Sequence, residues 1–339
     1  MPPLVSVIMP CRNAEATIRE TIASLEGQTL DAFETIAVDD ASEDGTSQIL
    51  KAWARRDPRV RVLSGRGQGI VPALRLATAE ARAPLVARMD ADDTAFPGRF
   101  AAQVSYLDRN HAVAGCGTHV ELFAAAGVGS GYRRYERWIN TVESPEDVDR
   151  NAFVECPIAH PTLVVRRSVL QAMGGYREAG WPEDYDLILR ILAAGGRLSN
   201  LPGAPLLRWR VHPGRLSLVS AAYGPDSFRR CKVHFLREAF LPARRPVVVW
   251  GAGKVGKPLA RELIGQGIRV EKFVDLDPRK IGQSIHGAEV ISPAGFEKDP
   301  SLKRSFVLAA VGSPGARSEI REALSLIGLE ELNDFRFCA

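Results

Sequence analysis

Short β-branched runs alternating with stretches of helical apolar spacing constrain this chain more than any other feature. Residues 5–9 read V-S-V-I-M, and Pro10 is expected to stop that run. Ile18, Ile22 and Leu25 follow at helical spacing and Gly27 closes them. Residues 35–38 form a second expected strand, closed by Asp39-Asp40. A helix is expected over 46–53, a strand over 60–63, a small-residue helix over 72–81 and a strand over 85–89. Connections of this length between strands need helical crossovers. The expectation is therefore an α/β fold with a parallel sheet covered by helices.

Residues 127–150 are rich in Gly, Arg and Tyr, weakly periodic, and read as an irregular or partly helical excursion. A strand is expected over 162–165, then a helix from Ser168 to Gly174-Gly175. Over 184–194, Leu187, Ile188, Ile191 and Leu192 make one apolar helical stripe that ends at Gly195-Gly196. The run L-P-A-R-R-P at 241–246 is basic, carries two prolines and reads as a linker. It separates an expected domain 1–241 from a second, 246–339. The second begins V-V-V-W, continues Gly251-x-Gly253-x-x-Gly256, and then takes helical spacing through Leu259 and Leu263. Further strands are expected over 270–274, ending at Asp275, and over 306–311, ending at Gly312-Ser313.

Lys and Arg total 44 against 40 Asp and Glu, a formal charge of +4 with no strongly basic arm. Nucleic acid is therefore not an expected partner. Cys11, Cys116, Cys156, Cys231 and Cys338 are far apart with no CxxC pair. That argues against a zinc site or a disulfide framework and for a reducing compartment. The opening Met1-Pro2-Pro3-Leu4 lacks a signal-peptide pattern, and no apolar run nears the ~20 residues of a membrane helix. The expected location is the cytoplasm. Peripheral association at the inner face of a membrane stays open, although linear order displays no basic patch for it.

Open α/β sheets bind ligands beyond the carboxyl ends of their strands. Two such ends are acidic here, Asp39-Asp40 and Asp90-Ala91-Asp92-Asp93. Asp also caps helices and nucleates turns, but two acidic clusters on one sheet favour a ligand. An Asp-x-Asp spacing in a turn can aim both carboxylates at one ion. Oxygen ligands suit Mg²⁺ or Mn²⁺, ions that commonly share substrate phosphates.

The opening V-S-V-I-M-P-C-R-N-A-E-A-T-I, then A-V-D-D-A-S-E-D-G-T and M-D-A-D-D, resembles glycosyltransferase family 2, which has the GT-A fold. H-P-T at 160–162, G-G-Y-R at 174–177, W-P-E-D-Y-D-L at 181–187 and R-W-R-V-H-P-G-R-L-S at 208–217 extend the likeness over residues 4–220. The resemblance implies transfer of a sugar from a nucleotide-sugar donor to a hydroxyl of a glycan or lipid-linked acceptor. UDP is the expected nucleotide, with dTDP and GDP as alternatives, and inversion at the anomeric carbon is expected. It maps Pro10, Arg12, Asn13, Asp39 and Asp40 to the nucleoside, with Arg66 and Gly69 of a Gly-rich stretch near the donor phosphates. Asp90 falls near the ribose or sugar. Asp92 is the expected metal ligand, with His212 completing the shell, and the role of Asp93 is open. Asp184 is the expected general base and Glu183 its support or an acceptor contact, both at a helix start where acids also serve as caps. His160, Trp181 and Tyr185 are weighed as acceptor-side or core residues.

The glycines at 251, 253 and 256 follow a strand, open a helix and precede Asp275, the context of a dinucleotide fingerprint. The stretch resembles Rossmann-like nucleotide-binding domains found beside sugar-modifying enzymes. NAD(P) or another nucleotide is the expected ligand if these glycines bind one; otherwise they serve helix–sheet packing. Two rival readings are an NAD(P)-linked oxidoreductase or epimerase centred there, and a non-catalytic nucleotide-sugar-binding protein. The second domain offers no Tyr-x-x-x-Lys pair to the first rival, and intact Asp92 and Asp184 disfavour the second.

Overall fold

The computed structural model describes residues 2–242, 245–313 and 315–339. Two residues of the expected linker, Ala243 and Arg244, lie outside them. The chain divides into two compact units, Met1–Val148 with Ile158–Ser220, and Asp149–Pro157 with Ala221–Ala339.

The first unit begins β1 (Val5–Cys11), α1 (Ile18–Glu26), β2 (Phe33–Asp39), α2 (Thr46–Arg56), β3 (Val60–Ser64), α3 (Ile70–Ala79) and β4 (Leu85–Arg88). It continues β5 (Thr94–Ala95), α4 (Arg99–Arg109), β6 (Val113–Thr118), β7 (Val120–Phe123), α5 (Ser130–Ile139) and α6 (Pro145–Asn151). After these come β8 (Val164–Arg166), α7 (Arg167–Ala172), α8 (Glu183–Ala193), β9 (Arg197–Leu201), β10 (Leu207–Arg210) and α9 (Leu216–Val219). The main sheet has the order β3-β2-β1-β4-β8-β6-β9, and β5-β10-β7 form a small second sheet.

Strand β1 is central, parallel to β2 on one side and β4 on the other. Val5, Val7, Ile8 and Met9 are consequently fully buried, which explains a run without polar alternation. The sheet is not wholly parallel as expected. β8 runs antiparallel to both β4 and β6. Nor does Pro10 stop the first strand, which continues to Cys11. Proline lacks only the donor, and the Cys11 carbonyl still accepts from Asp40 N at 2.8 Å. Strand β6 is invisible in V-A-G-C-G-T because its glycines answer to crowding. A Cβ on Gly115 would stand 2.7 Å from Val164 O, and one on Gly117 would stand 2.2 Å from Asn200 Oδ1.

The second unit contains α10 (Pro225–Phe235), β11 (Val247–Trp250), α11 (Gly256–Gly265), β12 (Val270–Val274), β13 (Ser284–Ile285) and β14 (Ala288–Ile291). It closes with α12 (Pro293–Lys298), β15 (Phe306–Ala309), α13 (Ala316–Leu326) and β16 (Phe335–Phe337). Its sheet order is β13-β14-β12-β11-β15-β16, parallel throughout except for the short β13. Helix α10 groups here although sequence reading ends the first domain at 241. It lies against α11, and Gln266 Nε2 donates to Arg230 O at 3.3 Å. The segment Asp149–Pro157 also groups here. Lys232 Nζ donates to Val154 O at 2.7 Å and Arg336 Nη1 to Asp149 O at 3.1 Å. All five cysteines are free and buried. Among the described residues, no helix is long and apolar enough to cross a membrane.

Candidate active site

The loops after β1 and β2 are laced together by side chains. Asn13 takes a left-handed backbone (φ +50°), and its Oδ1 accepts from Glu43 N at 2.9 Å. Its own N–H donates to Ser42 Oγ, and Ala14 N donates to Thr46 Oγ1 at 2.8 Å. Asp39 Oδ1 accepts from Ser42 N at 3.1 Å. Asp40 is buried and turned toward the glycine loop: Oδ1 accepts from Gly67 N and Oδ2 from Gly69 N, both at 2.8 Å. A Cβ on Gly65 would stand 2.6 Å from Asp40 Oδ1, so the loop closes around that carboxylate only with glycine there. Arg12 joins the same junction, 3.9 Å from Asp40 Oδ2 and donating to Gly67 O. Asp40 thus holds a loop, whereas Asp39 is part-exposed and Arg66 is exposed.

Beyond β4 the carboxylates of Asp90, Asp92 and Asp93 converge, with an oxygen from each within 4.8 Å of the others. Asp90 pairs with Arg88, a buried cation at the end of β4. Asp93 is fully buried. Its Oδ1 accepts from Arg210 N at 2.7 Å, and its Oδ2 has no hydrogen-bond partner. Burial, reinforced by the charges of Asp90 and Asp92, raises the Asp93 carboxyl well above the ordinary range. Burial raises Asp90 too, against the pull of Arg88. Three crowded carboxylates, two of them (Asp90 and Asp93) raised by burial and by neighbouring charge, and an orphaned buried oxygen fit a cation that would offset their charge. His212 reaches in from β10's end, its Nε2 2.9 Å from Asp92 Oδ2.

Residues that sequence reading passed over hold this cluster. Arg210 Nε donates to Asp92 O at 2.7 Å, and its guanidinium pairs with Glu20 of α1 at 2.5 Å. Arg99 is fully buried, donating to Arg88 O and to Gln103 Oε1. Burial pushes its pKa down to about 10 against the pull of Asp93. Arg215 bears electrostatically on Asp90 and Asp93. The available signal for Arg88 is a cation inside the apolar run L-V-A-R.

The acidic pair opens α8. Glu183 is buried, its Oε1 3.8 Å from His160 Nδ1, while His160 Nε2 meets Tyr176 Oη at 3.0 Å. Burial, aided by the nearby Arg88 charge, holds His160 well below the ordinary imidazole value, so the ring is neutral. Tyr176 lies within the electrostatic reach of Asp90, Glu183 and Asp184 alike, which links α8 to the carboxylate cluster. Asp184 is part-exposed, its Oδ1 accepting from Tyr185 N at 2.7 Å. Tyr185 belongs to the core, and Trp181 Nε1 donates to Asp186 Oδ1 at 3.0 Å. Asp186 pairs with Arg190, whose Nη2 donates to Gly175 O. The G-G-Y-R turn and α8 are thereby one assembly.

In the second unit, the fingerprint glycines differ in what they answer to. A Cβ on Gly256 would stand 1.7 Å from Gly251 O, and one on Gly251 would stand 2.7 Å from Val311 Cγ2. A Cβ on Gly253 would meet nothing within 4 Å. Asp275 Oδ2 accepts from Ala252 N at 2.8 Å and from Lys280 Nζ at 2.9 Å.

The first unit thus carries acidic clusters beyond the parallel strand ends of an open sheet and an acidic start to α8, an arrangement consistent with a GT-A fold. The description "Glycosyl transferase family 2" matches residues 6–174. The putative glycosyltransferase EpsE of Bacillus subtilis is 32% identical over 207 residues, 60% of this chain and 71% of that protein. The amylovoran biosynthesis glycosyltransferase AmsE of Erwinia amylovora is 32% identical over 205 residues, 59% of this chain and 73% of that one. Among solved structures, residues 1–349 of S. aureus TarS in complex with UDP superpose with a TM-score of 0.55 at 21% identity. That match covers 71% of this chain and 67% of that one. The chain belongs to glycosyltransferase family 2 and is a glycosyltransferase.

Proposed function

We propose that the enzyme transfers a sugar from a UDP-linked donor to a hydroxyl of a growing glycan on a lipid-linked acceptor, with inversion and with a divalent cation. One observation carries the reading. Three carboxylates converge beyond β4, one with a buried oxygen lacking a partner, and His212 meets them from β10. Asp92, Asp93 and His212 would hold Mg²⁺ or Mn²⁺, which when bound supplies charge compensation for the diphosphate. The similar TarS fold is titled as a UDP complex, and AmsE is named for polysaccharide biosynthesis. Those descriptions support the donor and acceptor classes. Asp39 and the backbone of the Asn13 loop would receive the nucleoside, with Arg66 toward the phosphates. Asp40 contributes by fixing the glycine loop.

In this reading, Asp184 accepts the acceptor hydroxyl's proton as the oxygen bonds to the anomeric carbon and the nucleoside diphosphate leaves from the opposite face. Glu183, seated against neutral His160, orients the acceptor. Inner-face membrane association follows from the lipid-linked acceptor. The second unit reads as a Rossmann-like domain. Gly251 and Gly256 answer to packing there, and the open space at Gly253 favours the phosphate of a nucleotide, NAD(P) included, approaching the loop.

The test is thermal shift with UDP-, dTDP- and GDP-sugars, each with and without Mn²⁺, beside NAD(P). Stabilisation by a UDP-sugar that requires Mn²⁺ is expected. No response to any sugar nucleotide would overturn the reading.

A further inference from the structure

Among the described residues of the first unit, five large apolar side chains stand exposed, and three of them, Leu216, Leu218 and Val219, lie on α9. At 56% and 66% exposure, Leu218 and Val219 exceed the rest of that group. A continuous run of aromatic and cationic contacts joins α9 to α5. Arg215, immediately before α9, places its guanidinium 4.5 Å over the Trp209 ring. Trp209 meets Tyr135 of α5 at 6.1 Å, and Tyr135 meets Trp138 at 5.7 Å.

Helix α5 reads S-G-Y-R-R-Y-E-R-W-I and buries only Ile139 completely. Arg133, Arg134 and Arg137 are all exposed on it. Arg208 adds a cation over the Phe123 ring of neighbouring β7. Among the described residues, Glu136 pairs with Arg133, Glu121 with Arg208, and Glu20 with Arg210, whose guanidinium also lies over the Phe123 ring, while Arg134 and Arg137 add further charge. Positive charge is therefore in surplus. Exposed leucine and valine, ring-bearing side chains beside them, and a surrounding band of arginine match an interfacial lipid-binding surface.

We infer that α5 and α9 form one docking face for an anionic lipid bilayer. Arg134 and Arg137 lie against the headgroup phosphates, and Leu218 and Val219 enter the acyl boundary. The inference deepens the inner-face association proposed above and rests on it for its purpose. Its primary readout, vesicle binding, needs neither donor nor acceptor.

The experiment is co-sedimentation of the full chain with phosphatidylcholine vesicles, with and without phosphatidylglycerol. Donor hydrolysis in vesicle-free buffer is measured alongside. Binding is expected only with phosphatidylglycerol, and added salt should weaken it. Arg134→Glu with Arg137→Glu should reduce it at least ~25-fold, since each basic side chain near such a surface is worth about fivefold. Leu218→Ser with Val219→Ser should also reduce it while leaving the residual binding salt-sensitive. Both variants should hydrolyse donor at the wild-type rate, which reports that they fold. The inference is overturned if wild type ignores phosphatidylglycerol or if the Arg variant binds as wild type does. A concentration-dependent dimer in sedimentation velocity that the Leu218, Val219 variant abolishes would assign the face to a second copy and overturn it too. Vesicle binding without any donor hydrolysis would sink the transferase reading alone.

Discussion

His212 Nε2 stands 2.9 Å from Asp92 Oδ2, across 120 positions of sequence. The approach is built by β10, whose Arg210 donates its side-chain Nε–H to the Asp92 carbonyl and its backbone N–H to the Asp93 carboxylate. Strand β10 therefore brings His212 to the carboxylate cluster and supports Asp92 and Asp93 at the same time.

Asp92→Asn should abolish the Mn²⁺-dependent part of donor binding, because one charged oxygen ligand is lost. His212→Ala should weaken the ion by about 10–100-fold, whether the imidazole ligates or only holds Asp92 in place. Mn²⁺ titration followed by calorimetry with a UDP-sugar reads both. Unchanged metal dependence in Asp92→Asn would remove Asp92 from the site.

Asp184→Asn should lower the turnover number by ~10²–10⁴-fold and leave donor affinity nearly unchanged. The substitution keeps the shape and the helix-start position but removes the carboxylate proposed as the base. Glu183→Gln should cost less in turnover and more in acceptor KM. The measurement is steady-state kinetics with each substrate varied in turn. A silent Asp184→Asn beside a dead Glu183→Gln would exchange the two roles.

His160 gives a pH signature in stability. The folded ring is held neutral by burial, whereas the unfolded ring protonates near its ordinary ~6.5. Its contribution is complete above that value. Below it the unfolded chain gains a proton the fold refuses, so stability is lost by at most ~1.4 kcal/mol per pH unit. Urea midpoints of wild type and His160→Gln should therefore converge as pH falls from about 7.5 to about 5. Parallel curves would mean that His160 titrates normally in the fold.

Gly256→Ala and Gly253→Ala should behave oppositely. The first drives a methyl against the Gly251 carbonyl and should strongly destabilise the second unit. The second meets open space and should leave the melting temperature nearly unchanged. If a nucleotide approaches that loop, Gly253→Ala should also remove any thermal shift it causes. Equal melting losses in both variants would place Gly253 in the packing as well.

The parallel half of the main sheet was legible because burial on both faces writes itself as short, mostly apolar runs, as in 5–9 and 85–89, each broken by one polar residue, Ser6 or Arg88. The remainder depended on partners far away in sequence. Strand β6 looks like a loop until Val164 and Asn200 are set beside its glycines. Nothing local to Asp40 announces that Gly67 and Gly69 donate to its oxygens. The 127–150 excursion hid α5, a helix with a single fully buried side chain, because helix signals are read from a buried stripe. The basic surface absent from linear order appears once α5, β7 and β10 are neighbours. Acids at strand ends were legible for the opposite reason, since the strand announces where its end lies.

The segment Asp149–Pro157 lies inside the first unit's sequence yet belongs to the second. During synthesis it leaves the ribosome well before its companions. Arg336, which binds the Asp149 carbonyl, follows 187 positions later. At ~5–20 residues per second, that interval is roughly 10–40 seconds. Phe153, whose ring meets that of Phe240 edge-on at 4.9 Å, waits 87 positions for that partner and 183 for Arg336. The nascent chain thus carries a temporary sticky spot in its middle, and a stop codon between Ser220 and Phe240 would leave Phe153 without its ring partner.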